Sequence, residues 1–344
     1  MSMPMAPLTW HTFLTTWHAN TWWNLVIVVV LAAYVAGLVV ARRKGERGVR
    51  AWRATLFLVG LAVLVVSLNS AIEGYGHELF WMHMVQHLLL IMVVPALLVV
   101  GQPLRLLVQV TGGSERSPVQ RGLLSRASDL LFHPLTGLAI YTIIIVGTHL
   151  TSFMQQMLTH MWLHQSEHVL YLLGGFVFLV PLLGNEPIRW RLPYPVRMLL
   201  LFVAMAPDTI VGIVLLQTEH EPFPAYAEMH RMWGPSLVKD IQTGGGIMWA
   251  IGDGIMMCFL VGVIVAWLAN SSSNATAGSW LEGVRRSTLS ENLAHAGGDA
   301  SSISETDDLD EDEAALAAYN KMLRGLNQKE SEPGTSPGTD SSNA

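Results

Sequence analysis

The sequence has few charged residues and a single cysteine, and both scarcities exclude whole classes of structure. Charged side chains make up 13% of the 344 residues, about half the share usual in soluble domains. The one cysteine, Cys258, excludes an intrachain disulfide and a cysteine cluster that binds a metal. A metal site in this chain would therefore use histidine, methionine and carboxylate ligands.

Several functional signatures are absent as well. The long apolar stretches contain no lysine, which excludes a retinal Schiff base of the rhodopsin type. The sequence shows no catalytic nucleophile motif, phosphate-binding loop or nucleic-acid-binding motif. No basic segment precedes the first apolar stretch, so we expect that stretch to be retained rather than cleaved as a signal peptide. We predict neither an enzyme nor a nucleic-acid-binding protein.

Hydrophobic residues make up 51% of the chain and form long runs. Several runs approach or exceed the ~20 residues that a helix needs to cross a bilayer. They predict an all-α, polytopic membrane bundle over 22–270, preceded by a segment at 1–21 and followed by a tail at 271–344. The seven predicted spans are 22–41, 54–72, 79–100, 134–152, 162–184, 196–216 and 245–269.

The charged residues predict the orientation of this bundle. Up to Asn270 the chain has fifteen basic residues, and thirteen of them fall in loops on one side of the predicted spans. That side is expected to be cytoplasmic, which places the N-terminus outside and the C-terminus inside the plasma membrane. The tail carries thirteen acidic and five basic residues and is rich in serine and glycine, a composition that predicts a mostly disordered cytoplasmic segment.

The histidines collect on the other side. Eleven of the thirteen fall outside the membrane or in its predicted outer half, the exceptions being His133 and His295. Imidazoles placed one helical turn apart share a face, and ionisable groups in hydrocarbon are costly enough to indicate a function. Spans three, four and five are therefore predicted to bring together one shell of imidazoles: His83, His87, His149, His164 and His168.

Such a shell suits a metal ion. Imidazole binds zinc, copper, iron and nickel, and thioether ligands add a preference for Cu(I). The carboxylates within or near the spans are candidates for additional ligands or for structural contacts between helices. The exposed-loop histidines His11, His18, His220 and His230 are expected to be ordinary surface residues. The possible additional site residues are His160, Glu167, Asp208, Asp240, Asp253 and Met84.

Four segments resemble the polytopic CtaG family of cytochrome c oxidase assembly factors. They are HMVQHLLLIMVVPALLVVGQPLRLL from His83, THLTSFMQQMLTHMWLHQSEHVLYLLGG from Thr148, FVAMAPDTIVGIVLL from Phe202 and DIQTGGGIMWAIGD from Asp240. The resemblance implies a protein that supplies or positions copper, Cu(I) in particular, for the subunits of a haem–copper oxidase. It also implies that the family's motif histidines correspond to the five histidines of the shell. The residue after the proline of span six, commonly a histidine in the family, is Asp208 here, so a ligand from that span is in doubt.

Two other functions stay open at this point. A b-type haem would need axial histidines on different helices at similar depth, such as His87 and His168. A metal or proton transporter would need an inner relay, for which Asp208 and Asp253 are the candidates. The oligomeric state is not indicated by the sequence.

Overall fold

A computed structural model describes residues 6–45, 48–112, 117–184, 186–228 and 231–271. The described residues up to Val265 belong to one compact unit, and a second unit begins at Ala266. Regular structure in the described part of the chain is helical throughout. This confirms the predicted all-α membrane bundle. His230, His295 and nearly all of the predicted acidic tail at 271–344 lie outside the described residues.

The described chain forms helices α1–α15 and one π-helical turn between α5 and α6. In chain order they are α1 Trp10–Thr15, α2 Thr21–Arg43, α3 Ala51–Asn69, α4 Ala71–Gly76, α5 Phe80–Leu88, the π turn Leu89–Val93, α6 Val94–Val100, α7 Pro103–Val110, α8 Pro118–Leu123, α9 Arg126–Leu131, α10 Pro134–His149, α11 Phe153–Thr159, α12 Met161–Leu183, α13 Tyr194–Leu216, α14 Pro224–Glu228 and α15 Leu237–Ser271.

Among the described residues, six helical segments are long and apolar enough to cross a membrane, and there are seven if a bent pair counts as one span. The bent pair is α10 with α11, which meet at an angle of 68°. The predicted span 134–152 is therefore too long, because the straight helix ends at His149. The predicted span 245–269 begins too late, because α15 already starts at Leu237. The orientation of the bundle in the membrane remains a prediction.

The third span changes its helical pitch in the middle. Pro95 has no backbone N–H and cannot bond to the carbonyl of Ile91 one turn earlier. The π turn ends at Val93, two residues before this proline. On α12, Gly175 faces this point. A Cβ atom there would lie 2.0 Å from the Ile91 oxygen and 2.9 Å from Pro95 Cγ. The absence of a side chain at Gly175 thus lets α12 approach the third span at backbone distance.

Helix α2 joins the bundle through a few well-defined contacts. The Tyr34 ring stacks on Phe57 of α3 at 3.7 Å between ring centroids, and its hydroxyl donates a hydrogen bond to the carbonyl of Gly101. Nearer the start of α2, Trp23 donates its indole N–H to Gln165 of α12 at 2.8 Å. Helix α2 therefore reaches the part of α12 that carries the predicted histidines.

We expect Gly175→Ala to destabilise the bundle. The added methyl group meets backbone atoms that cannot rotate away, and overpacking of this kind costs about 1–3 kcal/mol or more. The measurement is thermal unfolding of the purified protein in detergent. Gly262→Ala is the matched control, because a Cβ atom at this position of α15 meets nothing within 4 Å. Equal melting temperatures for both variants would contradict the close approach.

Candidate metal centre

Two imidazoles and a carboxylate form a buried triad: His83, His87 and Glu167. His83 and His87 lie one turn apart on α5 with ring centroids 3.9 Å apart, and Glu167 projects from α12. One Glu167 oxygen lies 3.6 Å from His83 Nε2 and the other 3.4 Å from His87 Nε2. One ligand atom from each residue lies within 4.8 Å of the others, and Glu167 is 0% exposed.

A second group of the same composition, the rim triad, consists of Glu73, His77 and His164. Glu73 and His77 come from α4 and the residue that follows it, and His164 comes from the second turn of α12. His164 Nε2 lies 3.1 Å from a Glu73 oxygen, and the His77 and His164 rings are 4.4 Å apart. One ligand atom from each of these residues also lies within 4.8 Å of the others.

His164, a member of the rim triad, also borders the buried triad. Its Nε2 faces Glu73, whereas its Nδ1 lies 3.8 Å from a Glu167 oxygen and 3.2 Å from the Met157 sulfur. The Glu73 carboxylate is held from the other side by a hydrogen bond from the Gln86 amide. His168 lies next to it, with Nε2 3.6 Å from the second Glu73 oxygen. The two triads thus form one continuous cluster.

Two members of the rim triad, Glu73 and His77, have shifted pKa values. Burial raises the pKa of Glu73, but the hydrogen bond to His164 and the charges of His168 and His164 outweigh it and lower the pKa to about 2. Burial, together with the charge of His164, lowers the pKa of His77 to about 4. At neutral pH, Glu73 is therefore ionised and His77 is neutral, and both offer lone pairs to a cation.

His149 lies beside the buried triad and fixes the tautomer of His87. Its Nδ1 is 2.9 Å from the carbonyl oxygen of Ile145, which can only accept, so Nδ1 carries the hydrogen. In neutral rings, His149 Nε2 is then an acceptor for His87 Nδ1–H at 3.2 Å, and His87 Nε2 keeps its lone pair. That lone pair points towards Glu167. The chain of contacts therefore prepares His87 as a ligand.

The buried triad fits a metal ion better than it fits hydrogen bonding alone. Within the described part of the chain, His83 Nε2, His87 Nε2 and both Glu167 oxygens lack a hydrogen-bond partner. Their separations of 3.4 and 3.6 Å exceed the 2.7–3.2 Å of a normal N–H···O bond. Ligands of one tetrahedral ion with bonds of ~2.0–2.1 Å lie roughly 3.3 Å apart. Unpartnered buried polar atoms are also rare enough in proteins to need an explanation.

The structure brings the five shell histidines together at one end of the bundle, although the metal itself remains a prediction. Glu167, one of the possible additional site residues, is fully buried between the histidines. His160 does not share a face with His164 and His168. It precedes the first turn of α12, is exposed, and contacts Thr159 and Gln156.

The remaining candidates have other contacts. Asp208 accepts a hydrogen bond from Tyr141, and Asp253 accepts one from Thr209. The hydrogen-bond partners of these two carboxylates are therefore hydroxyl groups and not histidines. Met84 is buried towards α15, where its Cγ would lie 3.0 Å from a Cβ atom at Gly244. Met157 is the methionine whose sulfur contacts a shell histidine.

Asp240, another possible additional site residue, supports the start of α5. Its two carboxylate oxygens accept the backbone N–H groups of Phe80 and Trp81 at 3.1 and 3.2 Å. Arg231 donates to the same carboxylate at 3.2 Å. A carboxylate at a helix N-terminus satisfies backbone donors that have no partner within the helix. Asp240 thus positions the turn that carries His83 without touching the triad.

The sequence analysis missed Glu73 and did not assign His77 to the site. Glu73 belongs to the short helix α4 and His77 follows it directly. This helix lies between two spans, where no apolar periodicity marks a buried face. The available signal was spacing: Glu73 and His77 are four residues apart, as are His83 and His87. Only the packing of α4 against α5 shows that the two pairs share one cluster.

Comparison with known proteins identifies relatives of this chain. The family model described as cytochrome c oxidase caa3 assembly factor matches residues 32–270. An uncharacterized protein of Mycobacterium bovis is 29% identical over 92% of this chain and 45% of its own length. An uncharacterized protein of Mycobacterium leprae is 28% identical over 74% of this chain and 40% of its own length. The chain spans about half the length of these curated relatives. No solved structure matches it significantly.

We expect Asp240→Ala to lower the stability of the bundle strongly. The change leaves two backbone donors of α5 and the Arg231 guanidinium, 4% exposed, without their carboxylate, and breaking a buried ion pair costs about 3–5 kcal/mol. The measurement is the melting temperature in detergent, with Glu221→Ala, an exposed carboxylate, as the control. An unchanged melting temperature would contradict the supporting role of Asp240.

Proposed function

Because the chain belongs to the family of cytochrome c oxidase caa3 assembly factors, we propose that it binds copper during the maturation of a haem–copper oxidase. The copper ligands in this proposal are the three residues of the buried triad, His83, His87 and Glu167. Copper is the cargo of the reaction, taken up here and passed to subunits of the oxidase. The protein acts in the plasma membrane, with the cluster on the predicted outer side.

This proposal rests on one observation: the buried triad brings together four potential metal-ligand atoms that have no hydrogen-bond partner among the described residues. Three helices supply the site: α5 provides His83 and His87, α12 provides Glu167, and α10 provides His149 as a support. A carboxylate without exposure to water is unfavourable unless a positive group compensates it. A copper ion would supply that compensation and accept the lone pairs of both imidazoles.

The charge of the site supports Cu(I) as the bound form. The triad contains one carboxylate, so one monovalent cation leaves it neutral, and neutrality lowers the cost of burial. Imidazole is a good ligand for copper, and the Met157 sulfur, 3.2 Å from His164, adds a soft donor nearby. Divalent copper would leave a net positive charge on the buried triad.

The contacts of the cluster disfavour the two alternatives. A haem between His87 and His168 would need an open slot beside His87, whose ring packs against Tyr171 at 4.2 Å and His83 at 3.9 Å. A relay through the inner half of the membrane would use Asp208 and Asp253. Asp208 instead accepts a hydrogen bond from Tyr141 of α10, and Asp253 accepts one from Thr209 of α13.

Removal of the buried-triad imidazoles tests the proposal. We expect the double variant His83→Ala, His87→Ala to lose its buried copper when it is purified under anaerobic, reducing conditions, and to mature the oxidase poorly in cells. His160→Ala is the control, since this histidine is exposed and outside both triads. The readouts are copper per protein and copper content of the oxidase. A double variant that keeps all of its copper and matures a full oxidase would rule out the proposal.

His149→Ala distinguishes support from direct ligation. If His149 orients His87, its loss weakens Cu(I) affinity about 10- to 100-fold, the usual effect of losing a group that orients a ligand. His149→Gln should lose less, because its amide oxygen can accept the hydrogen of His87 Nδ1. Affinity is measured by competition with a Cu(I) chelator. Complete loss of binding at the buried triad in both variants would make His149 a ligand.

A further inference from the structure

We infer that the rim triad of Glu73, His77 and His164 is a second copper site, through which the ion passes to the buried triad. This inference rests on the proposed function, because it takes copper as the cargo. It adds a binding site and a direction of movement. It also gives Glu73 and His77 a role that the histidine shell alone does not provide.

The first support for the inference is that the two sites repeat the same set of ligands. Each triad contains two imidazoles and one carboxylate, and in each the ligand atoms lie within 4.8 Å of one another. Each carboxylate offsets the charge of one monovalent ion. A chain that can hold Cu(I) at the buried triad therefore offers matching chemistry at the rim triad.

The second support is a gradient of exposure. The Glu73 side chain is 12% exposed and His77 is partly exposed, whereas Glu167 is 0% exposed and His83 is 1% exposed. An ion arriving from water meets the rim triad first. It exchanges water for protein ligands there, before it reaches ligands that have no contact with solvent. Stepwise loss of hydration lowers the barrier to entering a buried site.

The third support is the position of His164, whose two ring nitrogens lie near the carboxylates of the two triads. Its Nε2 is 3.1 Å from the Glu73 oxygen and its Nδ1 is 3.8 Å from the Glu167 oxygen. The His83 ring lies 6.3 Å from the His164 ring and is inclined to it by only 27°. One imidazole therefore borders both sites, and an ion leaving the rim triad has ligands of the buried triad within a few ångströms.

The carboxylate of the rim triad is also held in place. Gln86 donates one amide hydrogen to Glu73 and another to the carbonyl of Ser67, the latter at 2.8 Å. Gln86 lies on α5 between His83 and His87, so the residue that orients the rim carboxylate belongs to the same turn as the buried imidazoles. The two sites are thus built on one rigid frame rather than on separate loops.

The experiment measures how much Cu(I) the full-length protein binds in detergent and how fast. Buffered Cu(I) is supplied anaerobically, bound copper is counted after gel filtration, and loading is followed by the loss of a coloured Cu(I)–chelator complex. The variants are His77→Ala, Glu73→Gln and the double variant His83→Ala, His87→Ala. Glu73→Gln keeps an acceptor for Gln86, so it preserves the fold even where His77→Ala reduces stability. His160→Ala is the matched control.

The wild-type protein and His160→Ala should bind two ions per chain. His77→Ala and Glu73→Gln should each bind one ion and load it more slowly, because the outer site is lost. The double variant should also bind one ion, and it should load this ion at the wild-type rate of the first phase.

Two results overturn different statements. If the wild-type protein binds one ion, and His77→Ala and Glu73→Gln match it in amount and rate, the rim triad is not a copper site, while the proposed function stands. If the double variant binds as much copper as the wild-type protein, the proposed function itself fails.

Discussion

The burial of one carboxylate among imidazoles is the constraint on which the rest of this structure depends. Glu167 has no exposure to water and faces His83 and His87 from the neighbouring helix. A charge in that position is tolerated only if its partners are held at fixed distances. The close packing of α12 on the π turn, permitted by Gly175, fixes one side of the pair. The contact of Asp240 with the first turn of α5 fixes the other.

Much of the fold and part of the site can be predicted from the sequence. Hydrophobic runs indicate the spans because the bilayer demands a minimum length of apolar helix. The four-residue spacing of His83 and His87 indicates a shared face because an α-helix repeats every 3.6 residues. The same reasoning finds His164 and His168 on α12. These predictions concern single helices, where sequence and geometry are directly connected.

The remaining features depend on contacts between helices, which no local pattern encodes. The role of His149 follows from the carbonyl of Ile145 and the ring of His87, and neither can be located from the sequence. His160 continues the four-residue spacing of the α12 histidines, but it precedes the first residue of the helix. The spacing therefore does not place His160 on the face that His164 and His168 share. Glu73 could not be predicted as a site residue because it belongs to a short helix outside the spans.

The π turn has a consequence for the length of the third span. A π turn contains one more residue than an α-helical turn of the same height, and each residue of an α-helix rotates the chain by about 100°. The number of residues between His87 and Pro95 is therefore as important as their identity. A substitution between them keeps this number, whereas a deletion of one residue would turn the imidazoles around the helix axis by about 100° and away from Glu167. Any relative that shares this centre should have a third span without gaps at this point.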